Sequence, residues 1–174
     1  MRPTRFIIGL AAGDVPHPQL TGLGRHRDHP RVGHLSAQLE RCHSVSSQSH
    51  NKSLVRLIVE RMFNHGDLDV AEKIFAPDFV DRGHEQVADK QDGPAGFAHF
   101  VATIRAALPD LNAKIENLVA EGEMVAMWNT ATATHRGELF GMPPTGEPIR
   151  MKDFHFFRFH EGKIVEHWNS VSFG

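Results

Sequence analysis

The sequence predicts an α+β fold in which three helices pack on one face of a curved antiparallel sheet. From residue 51 to about residue 110, apolar side chains recur at the three- and four-residue spacing of amphipathic helices. From Leu111 onward the spacing changes to two, which is typical of strands. Helices followed by consecutive strands pack as one helical layer on one sheet. A concave sheet covered in this way encloses a pocket lined by alternate residues of its last strands.

The helices are predicted from their periodicity and their end signals. An amphipathic helix covers residues 51–65, and Gly66 ends it in a left-handed conformation. A second helix follows and stops at Pro77, after which residues 79–82 form a short strand. The third helix begins at Pro94, a residue favoured in the first helical turn.

Four strands fill the rest of the chain as two hairpins. Tight turns at Gly122 and Gly162 join the strands within each pair. Residues 136–148, which are rich in glycine and proline, form the loop between the two pairs. The predicted order is therefore helix, helix, strand, helix and four consecutive strands.

Composition divides the chain at residue 51. Residues 1–50 carry a net charge of +3, six of the 13 histidines and one of the 14 aromatic residues. Residues 51–174 carry a net charge of −5 and the other 13 aromatic residues. Only this second part has the apolar content to bury a core, so we expect one domain over 51–174. Residues 1–50 are predicted to be a disordered extension, or to precede the true start of translation.

Charge and cysteine content exclude several classes of function. The formal net charge is −2 and the isoelectric point is about 6.7, which gives no global attraction to nucleic acid or to an anionic membrane. The one cysteine, Cys42, excludes an internal disulfide framework and indicates a reducing compartment, so we expect a cytoplasmic protein. Near the N-terminus, the apolar run is too short to span a membrane. The histidine spacing is not that of a zinc site, and we expect no metal.

Candidate acid and base groups lie on the third predicted strand. Alternation places Asp153 and His155 on one face with Phe157 and Phe159. If that face lines the pocket, a carboxylate and an imidazole with Cα atoms about 7 Å apart could share proton transfer. The alternative is that Asp153 lies at a solvated strand end and His155 is a hydrogen-bonded core residue.

Other polar and aromatic residues are candidates for substrate binding. Trp128 and Trp168, the two indoles, each offer one N–H donor on a large apolar body and suit a pocket wall, although aromatic residues also form ordinary cores. His135 begins the loop between the hairpins and is predicted to line the pocket mouth. Asn129 is expected to satisfy its amide within the sheet. On the last strand Trp168 shares a face with Glu166 while His167 points the other way, so only one set can face the pocket.

The C-terminal third resembles the SnoaL-like polyketide cyclase and ester cyclase family. This family belongs to the superfamily of small cone-shaped α+β barrels that also holds ketosteroid isomerase, scytalone dehydratase and limonene epoxide hydrolase. The resemblance covers roughly residues 51–174. Its motifs are Thr134-His135-Arg136-Gly137, Gly141-Met142-Pro143-Pro144-Thr145-Gly146, Phe157-Arg158-Phe159, Gly162-Lys163-Ile164 and Glu166-His167-Trp168.

The resemblance implies a reaction and further site residues. Cyclases of the family close a ring by a cofactor-free intramolecular aldol reaction, with one aspartate as general acid and base. That aspartate commonly lies three residues before the strand arginine, where this chain has His155, with Asp153 two residues earlier. The family also places a polar pocket residue after the first strand, where this chain has Asp81 and His84. A small-molecule substrate and a homodimer are implied as well.

Two classes of function follow from these observations. The first is an enzyme that cyclises, isomerises, dehydrates or hydrolyses an apolar oxygenated compound by proton transfer. Because the chain has no tyrosine, an enolate oxygen would be stabilised by an indole, a protonated carboxyl, a histidine or backbone N–H groups. The second is a non-catalytic binding or dimerisation domain of the same fold.

Overall fold

A computed structural model of the chain describes residues 47–83 and 91–173. His84, Cys42 and nearly all of the predicted N-terminal extension lie outside these described residues. Residues 47–50 are already helical, four residues before the predicted helix start at residue 51.

Three helical segments precede or interrupt the first strands. Helix α1 is α-helical over 47–57 and π-helical over Ile58–Asn64. A 3-10 turn, Leu68–Val70, leads into the short helix α2, Ala71–Ile74, and helix α3 spans Gly93–Ala107. The left-handed φ of +73° at Gly66, after the end of α1, confirms the predicted glycine stop. No helix in the described ranges has both the length and the apolar content needed to cross a bilayer.

Five strands form one sheet in the order β1-β5-β4-β3-β2. Strands β2 to β5 pair antiparallel with their sequence neighbours, as predicted, whereas β1 joins the edge parallel to β5. The strands are β1 (Phe75–Asp81), β2 (Asn112–Glu121), β3 (Met124–Thr134), β4 (Pro148–His160) and β5 (Lys163–Phe173).

Strand β1 is longer than the sequence predicts. It begins at Phe75 and runs through Pro77, whereas Pro77 was expected to stop a helix and the strand was expected to start at residue 79. A proline is tolerated here because β1 is an edge strand. The pairing of β1 with β5 also shifts register between Phe75 and Val80.

The inner face of the sheet forms the core with the helices. Buried phenylalanines dominate it, and Phe75, Phe79, Phe157 and Phe159 are each 1% exposed. Full burial of a side chain of this size contributes about 1.5–3 kcal/mol. Helix α3 covers this cluster through Phe97, whose ring centroid lies 4.7 Å from that of Phe75.

A bulge in β5 determines which of its residues face inward. Arg158 pairs with Glu166 but the next residue, Phe159, pairs with Ile164, so Val165 is an additional residue in β5. Ile164 and His167 are therefore both buried on the inner face although they are three residues apart. Glu166 faces outward beside Arg158.

Candidate active site

Three buried polar residues on the inner face of the sheet, Asp81, His167 and His155, are joined by hydrogen bonds. His155 Nδ1 lies 2.9 Å from His167 Nε2, and His167 Nδ1 lies 3.0 Å from Asp81 Oδ1. The exposed fractions are 4% for Asp81, 1% for His167 and 8% for His155. We call this set the buried triad. Its members come from three adjacent strands of the sheet, β1, β5 and β4.

The strand register brings the triad together. Asp81, the last residue of β1, is the parallel partner of His167 on β5. On the other side of β5, His155 of β4 pairs with Asn169, two residues beyond His167. Because His155 and His167 are diagonal neighbours on one face, their rings lie side by side with centroids 5.2 Å apart.

Aromatic rings enclose the triad. Phe157 stacks on His167 with ring centroids 4.8 Å apart and lies 5.9 Å from His155. Phe97 of α3 contacts His167 edge-on at 5.6 Å. An apolar enclosure of this kind lowers the local dielectric constant and strengthens each hydrogen bond inside it.

When Asp81 is ionised and both rings are neutral, the hydrogen-bond order fixes the tautomers of the two histidines. A carboxylate only accepts hydrogen bonds, so Nδ1 of His167 donates to Asp81. Nε2 of His167 is then the acceptor, and Nδ1 of His155 donates to it. Nε2 of His155 is consequently the ring nitrogen that can take up a proton. In this arrangement a second histidine and a carboxylate hold the His155 ring in one orientation.

Gly83 holds the end of β1 against β5. Its N–H donates to Asp81 Oδ1 at 3.0 Å, a second hydrogen bond that fixes the carboxylate. A Cβ at this position would lie 2.1 Å from Asn169 Oδ1 and 2.8 Å from the Asn169 backbone nitrogen. Only glycine allows this close approach of the two backbones.

Asp153 lies beside the triad and not within it. It shares the inner face with His155 two residues away, and its Oδ2 accepts a hydrogen bond of 3.1 Å from Asn129 Nδ2 on β3. Asn129 is 4% exposed, and no donor among the described residues reaches its Oδ1. The sequence expectation that Asn129 satisfies its amide locally is therefore met for the nitrogen and wrong for the oxygen.

His135 lies farther along the inner side, just beyond the end of β3. It is 5% exposed, and its Nδ1 is 3.4 Å from Thr145 Oγ1 in the glycine- and proline-rich loop. Its backbone also anchors this loop, accepting from Gly146 N at 2.8 Å and donating to Glu147 O at 3.0 Å. Its Nε2 has no partner within the part of the chain that the structure describes.

The two tryptophans lie on the outer face of the sheet, which corrects their predicted place in a pocket wall. Trp128 is 39% exposed and stacks on Phe154, with centroids 5.9 Å apart. Trp168 pairs with Phe156, which is 50% exposed on that same face. The outward positions of Trp128 and Trp168 follow from alternation, because the neighbouring residues Asn129 and His167 point inward.

Glu166 is held between two arginines on the outer face. Arg82 donates to Oε1 from Nε at 3.0 Å and from Nη2 at 2.7 Å, and Arg158 donates to Oε2. Burial by itself raises the pKa of the Glu166 carboxyl, but the hydrogen bonds and charges of Arg82 and Arg158 outweigh burial and leave this pKa below its ordinary value.

The lowered pKa of Glu166 predicts a stability difference that depends on pH. Since the carboxylate is favoured in the folded state, its contribution is present above the unfolded pKa, ordinarily 4.5, and is lost as pH falls through the folded pKa. Glu166→Gln is expected to lower the free energy of unfolding by about 1 kcal/mol at pH 7, and less below pH 4.5. Urea unfolding at several pH values measures this, with Glu121→Gln at an exposed strand end as control. If Glu166→Gln lowered the free energy of unfolding equally at pH 7 and pH 3, the lowered pKa of Glu166 would be contradicted.

Open depressions of the surface lie away from the triad. One of about 290 Å³ is lined by Glu60, Arg61, His65 and Asp67, and another of about 300 Å³ lies around Asp110 and residues 132–134 and 148–150. Neither includes Asp153 or His155. Within the described ranges, no group of three or more His, Cys, Asp or Glu residues is arranged to hold a metal ion.

The sequence of this fold matches the family model of the SnoaL-like polyketide cyclases over residues 53–172. The chain belongs to the SnoaL-like polyketide cyclase family. The match confirms the resemblance drawn from the C-terminal motifs. It also lies within the predicted domain, residues 51–174.

Relatives of this SnoaL-like chain include proteins named as cyclases and one named as a hydroxylase. It is 29% identical over 116 residues to the aklanonic acid methyl ester cyclase DauD of a Streptomyces species, strain C5, covering 66% of this chain and 71% of DauD. AclR of Streptomyces galilaeus, provisionally described as a hydroxylase, is 31% identical with a TM-score of 0.60, over 72% of this chain and 80% of AclR. IdmH of Streptomyces antibioticus, provisionally a polyketide cyclase, is 30% identical with a TM-score of 0.60, over 70% of this chain and 91% of IdmH.

Proposed function

We propose that this SnoaL-like protein is a cyclase that closes a ring in an apolar, oxygenated small molecule by proton transfer, with His155 as the acid and base. The observation that carries the proposal is the buried triad, in which a carboxylate and a second histidine orient His155 among phenylalanines. General acid and base catalysis requires a titratable group held in one orientation in a largely dry site. The proposed enzyme domain spans residues 51–174, and we place it in the cytoplasm.

The first step of the proposed reaction is removal of a proton from carbon. His155 Nε2 takes a proton from a carbon atom next to a substrate carbonyl, which leaves an enolate. The Nδ1 proton of His155 can pass to His167 Nε2 across their 2.9 Å hydrogen bond. The positive charge then lies on His167, 3.0 Å from the Asp81 carboxylate, where it is best stabilised.

The second step forms the carbon–carbon bond and returns the proton. The enolate carbon attacks a ketone of the same molecule, and the ketone oxygen becomes an alkoxide. His155 Nε2 gives its proton to this oxygen while His167 Nε2 returns a proton to His155 Nδ1, which forms a hydroxyl group and restores the neutral triad. Substrate and product are isomers, so the reaction consumes no oxidant, reductant or cofactor.

The proposal is tested with the substrate that the name of DauD provides. Aklanonic acid methyl ester is incubated with the purified protein, and the products are separated and weighed by mass spectrometry. We expect a new compound of unchanged mass that has lost one ketone and gained one hydroxyl group. If neither this ester nor related keto esters of aromatic polyketides are converted, the cyclase assignment is wrong.

A second proposal concerns the outer face of the sheet, which carries an apolar patch. The patch is formed by side chains from β2 to β5, and Val119, Trp128 and Phe156 are 57%, 39% and 50% exposed. Exposed apolar patches of this kind mark interaction sites. A second copy of the chain fits best, because a two-fold contact sets one patch against itself. The outer aromatic patch comprises Val119, Trp128, Phe154, Phe156 and Trp168.

Disrupting this patch is expected to dissociate the proposed homodimer. Phe156→Glu places a charge at the centre of the outer aromatic patch. The molar mass is measured by light scattering after size exclusion. We expect twice 19.4 kDa for the wild type and 19.4 kDa for the variant. Phe140→Glu, which is 48% exposed in a loop away from the patch, is expected to stay dimeric. A monomeric wild type, or a dimer that survives Phe156→Glu, would contradict the proposal.

A further inference from the structure

Asn129 presents a buried acceptor beside the triad that nothing in the described chain satisfies. Its side chain is 4% exposed and projects from β3 onto the inner face, where its register partner is Asp153. His155, the proposed base, is two residues from Asp153 on that face. Asn129 is therefore a diagonal neighbour of His155 across β3 and β4.

The orientation of the Asn129 amide is fixed by its neighbour. The 3.1 Å contact with Asp153 Oδ2 requires a donor, because a carboxylate accepts hydrogen bonds, and the amide nitrogen is the one donor that Asn129 offers. Oδ1 therefore points away from Asp153. It has no solvent contact and no donor within residues 47–83 and 91–173.

A buried carbonyl oxygen without a donor is costly, and such atoms are usually satisfied by a ligand or by ordered water. The residues on either side of Asn129 on the inner face of β3 are apolar, since Met127 and Ala131 are each 4% exposed and belong to the core. A ligand at this place would present one O–H donor on an otherwise apolar body.

We propose that Asn129 is a specificity residue whose Oδ1 accepts a hydrogen bond from a hydroxyl group of an otherwise apolar substrate. The inference rests on the proposed function, since this contact would hold the substrate beside His155, the proposed base. Asp153 acts as a positioning residue because it fixes the amide. A substrate that lacks the hydroxyl would leave Oδ1 unsatisfied and is expected to bind more weakly.

A pair of ligands tests the inference by binding alone. Isothermal titration measures the affinity of 2-hydroxyanthraquinone and of 2-methoxyanthraquinone, which differ in one O–H donor. The wild type is expected to bind the hydroxyl compound at least about ten-fold more tightly. In Asn129→Leu this preference is expected to disappear, because leucine has a similar size and no acceptor. Thr130→Val, the next residue on the opposite face, is expected to keep it.

Every outcome decides the inference. Equal binding of the two compounds by the wild type, or no binding of either, overturns it and leaves ordered water as the partner of Oδ1. A preference that survives in Asn129→Leu also overturns it. If Asn129→Leu does not fold, Asn129→Ser is used instead, and loss of most of the preference is expected there. Because no turnover is measured, a protein that shows the preference but closes no ring overturns only the proposed function.

Discussion

A His155→Gln variant is expected to lower kcat by about two to four orders of magnitude while the protein remains folded. Glutamine can still donate a hydrogen bond to His167 Nε2, but it cannot take up the proton that ring closure requires. The buried rings of Phe157 and His167 continue to pack against a side chain of similar length. Turnover of the accepted substrate and the thermal unfolding midpoint are measured together.

His160 provides the matched control for this experiment. It lies on the same strand, and its exposed side chain points to the outer side. His160→Gln is expected to leave kcat within about two-fold of the wild type, since surface changes away from the site have small effects. An equal kcat for His155→Gln and the wild type would remove His155 from the reaction.

Asp81→Asn is expected to lower kcat by about two to four orders of magnitude as well, although Asp81 does not touch the substrate in the proposed reaction. The amide is nearly the same size as the carboxylate but carries no negative charge to stabilise the proton on His167. It can also donate to His167 Nδ1 and so favour the wrong tautomer, an effect known from the Asp-to-Asn change in serine protease triads.

A pH profile separates this positioning role from a structural one. Without the carboxylate, the protonated histidine pair is less stable, so the acidic limb of the kcat/KM profile is expected to move to lower pH. A variant that had only lost stability would keep the shape of the profile. Asp78→Asn, exposed on the same strand, is the control and is expected to change neither rate nor profile. An unchanged profile in Asp81→Asn would contradict the role.

Much of the fold could be predicted because its signals are local. The change of apolar spacing at Leu111 marks the passage from helices to strands, and glycine stops and turns define their ends. Pro77 was misread because proline is a strong break signal in a helix but is tolerated on an edge strand. That β1 would be an edge strand depends on its parallel pairing with β5, which no local pattern reveals.

The site was predicted in part. Alternation on β4 placed His155 and Asp153 on one face, and the family pattern pointed to Asp81. The sequence left open whether His167 or the pair Glu166 and Trp168 faces inward, and strict alternation from the buried Ile164 would turn Glu166 and Trp168 inward. The bulge at Val165 reverses this, and it becomes visible only through pairing with β4. The half-satisfied amide of Asn129 likewise depends on a neighbour across the sheet.

The proposed reaction depends on the tautomer of His155, because Nε2 of this ring must accept the substrate proton. Long-range proton–nitrogen correlation NMR on protein labelled with nitrogen-15 distinguishes the two ring nitrogens of each histidine. At neutral pH we expect the proton of His155 on Nδ1 and that of His167 on Nδ1, with this order lost in Asp81→Asn. A neutral His155 with its proton on Nε2 in the wild type would contradict the proposed reaction, since Nε2 could not then accept a proton from the substrate.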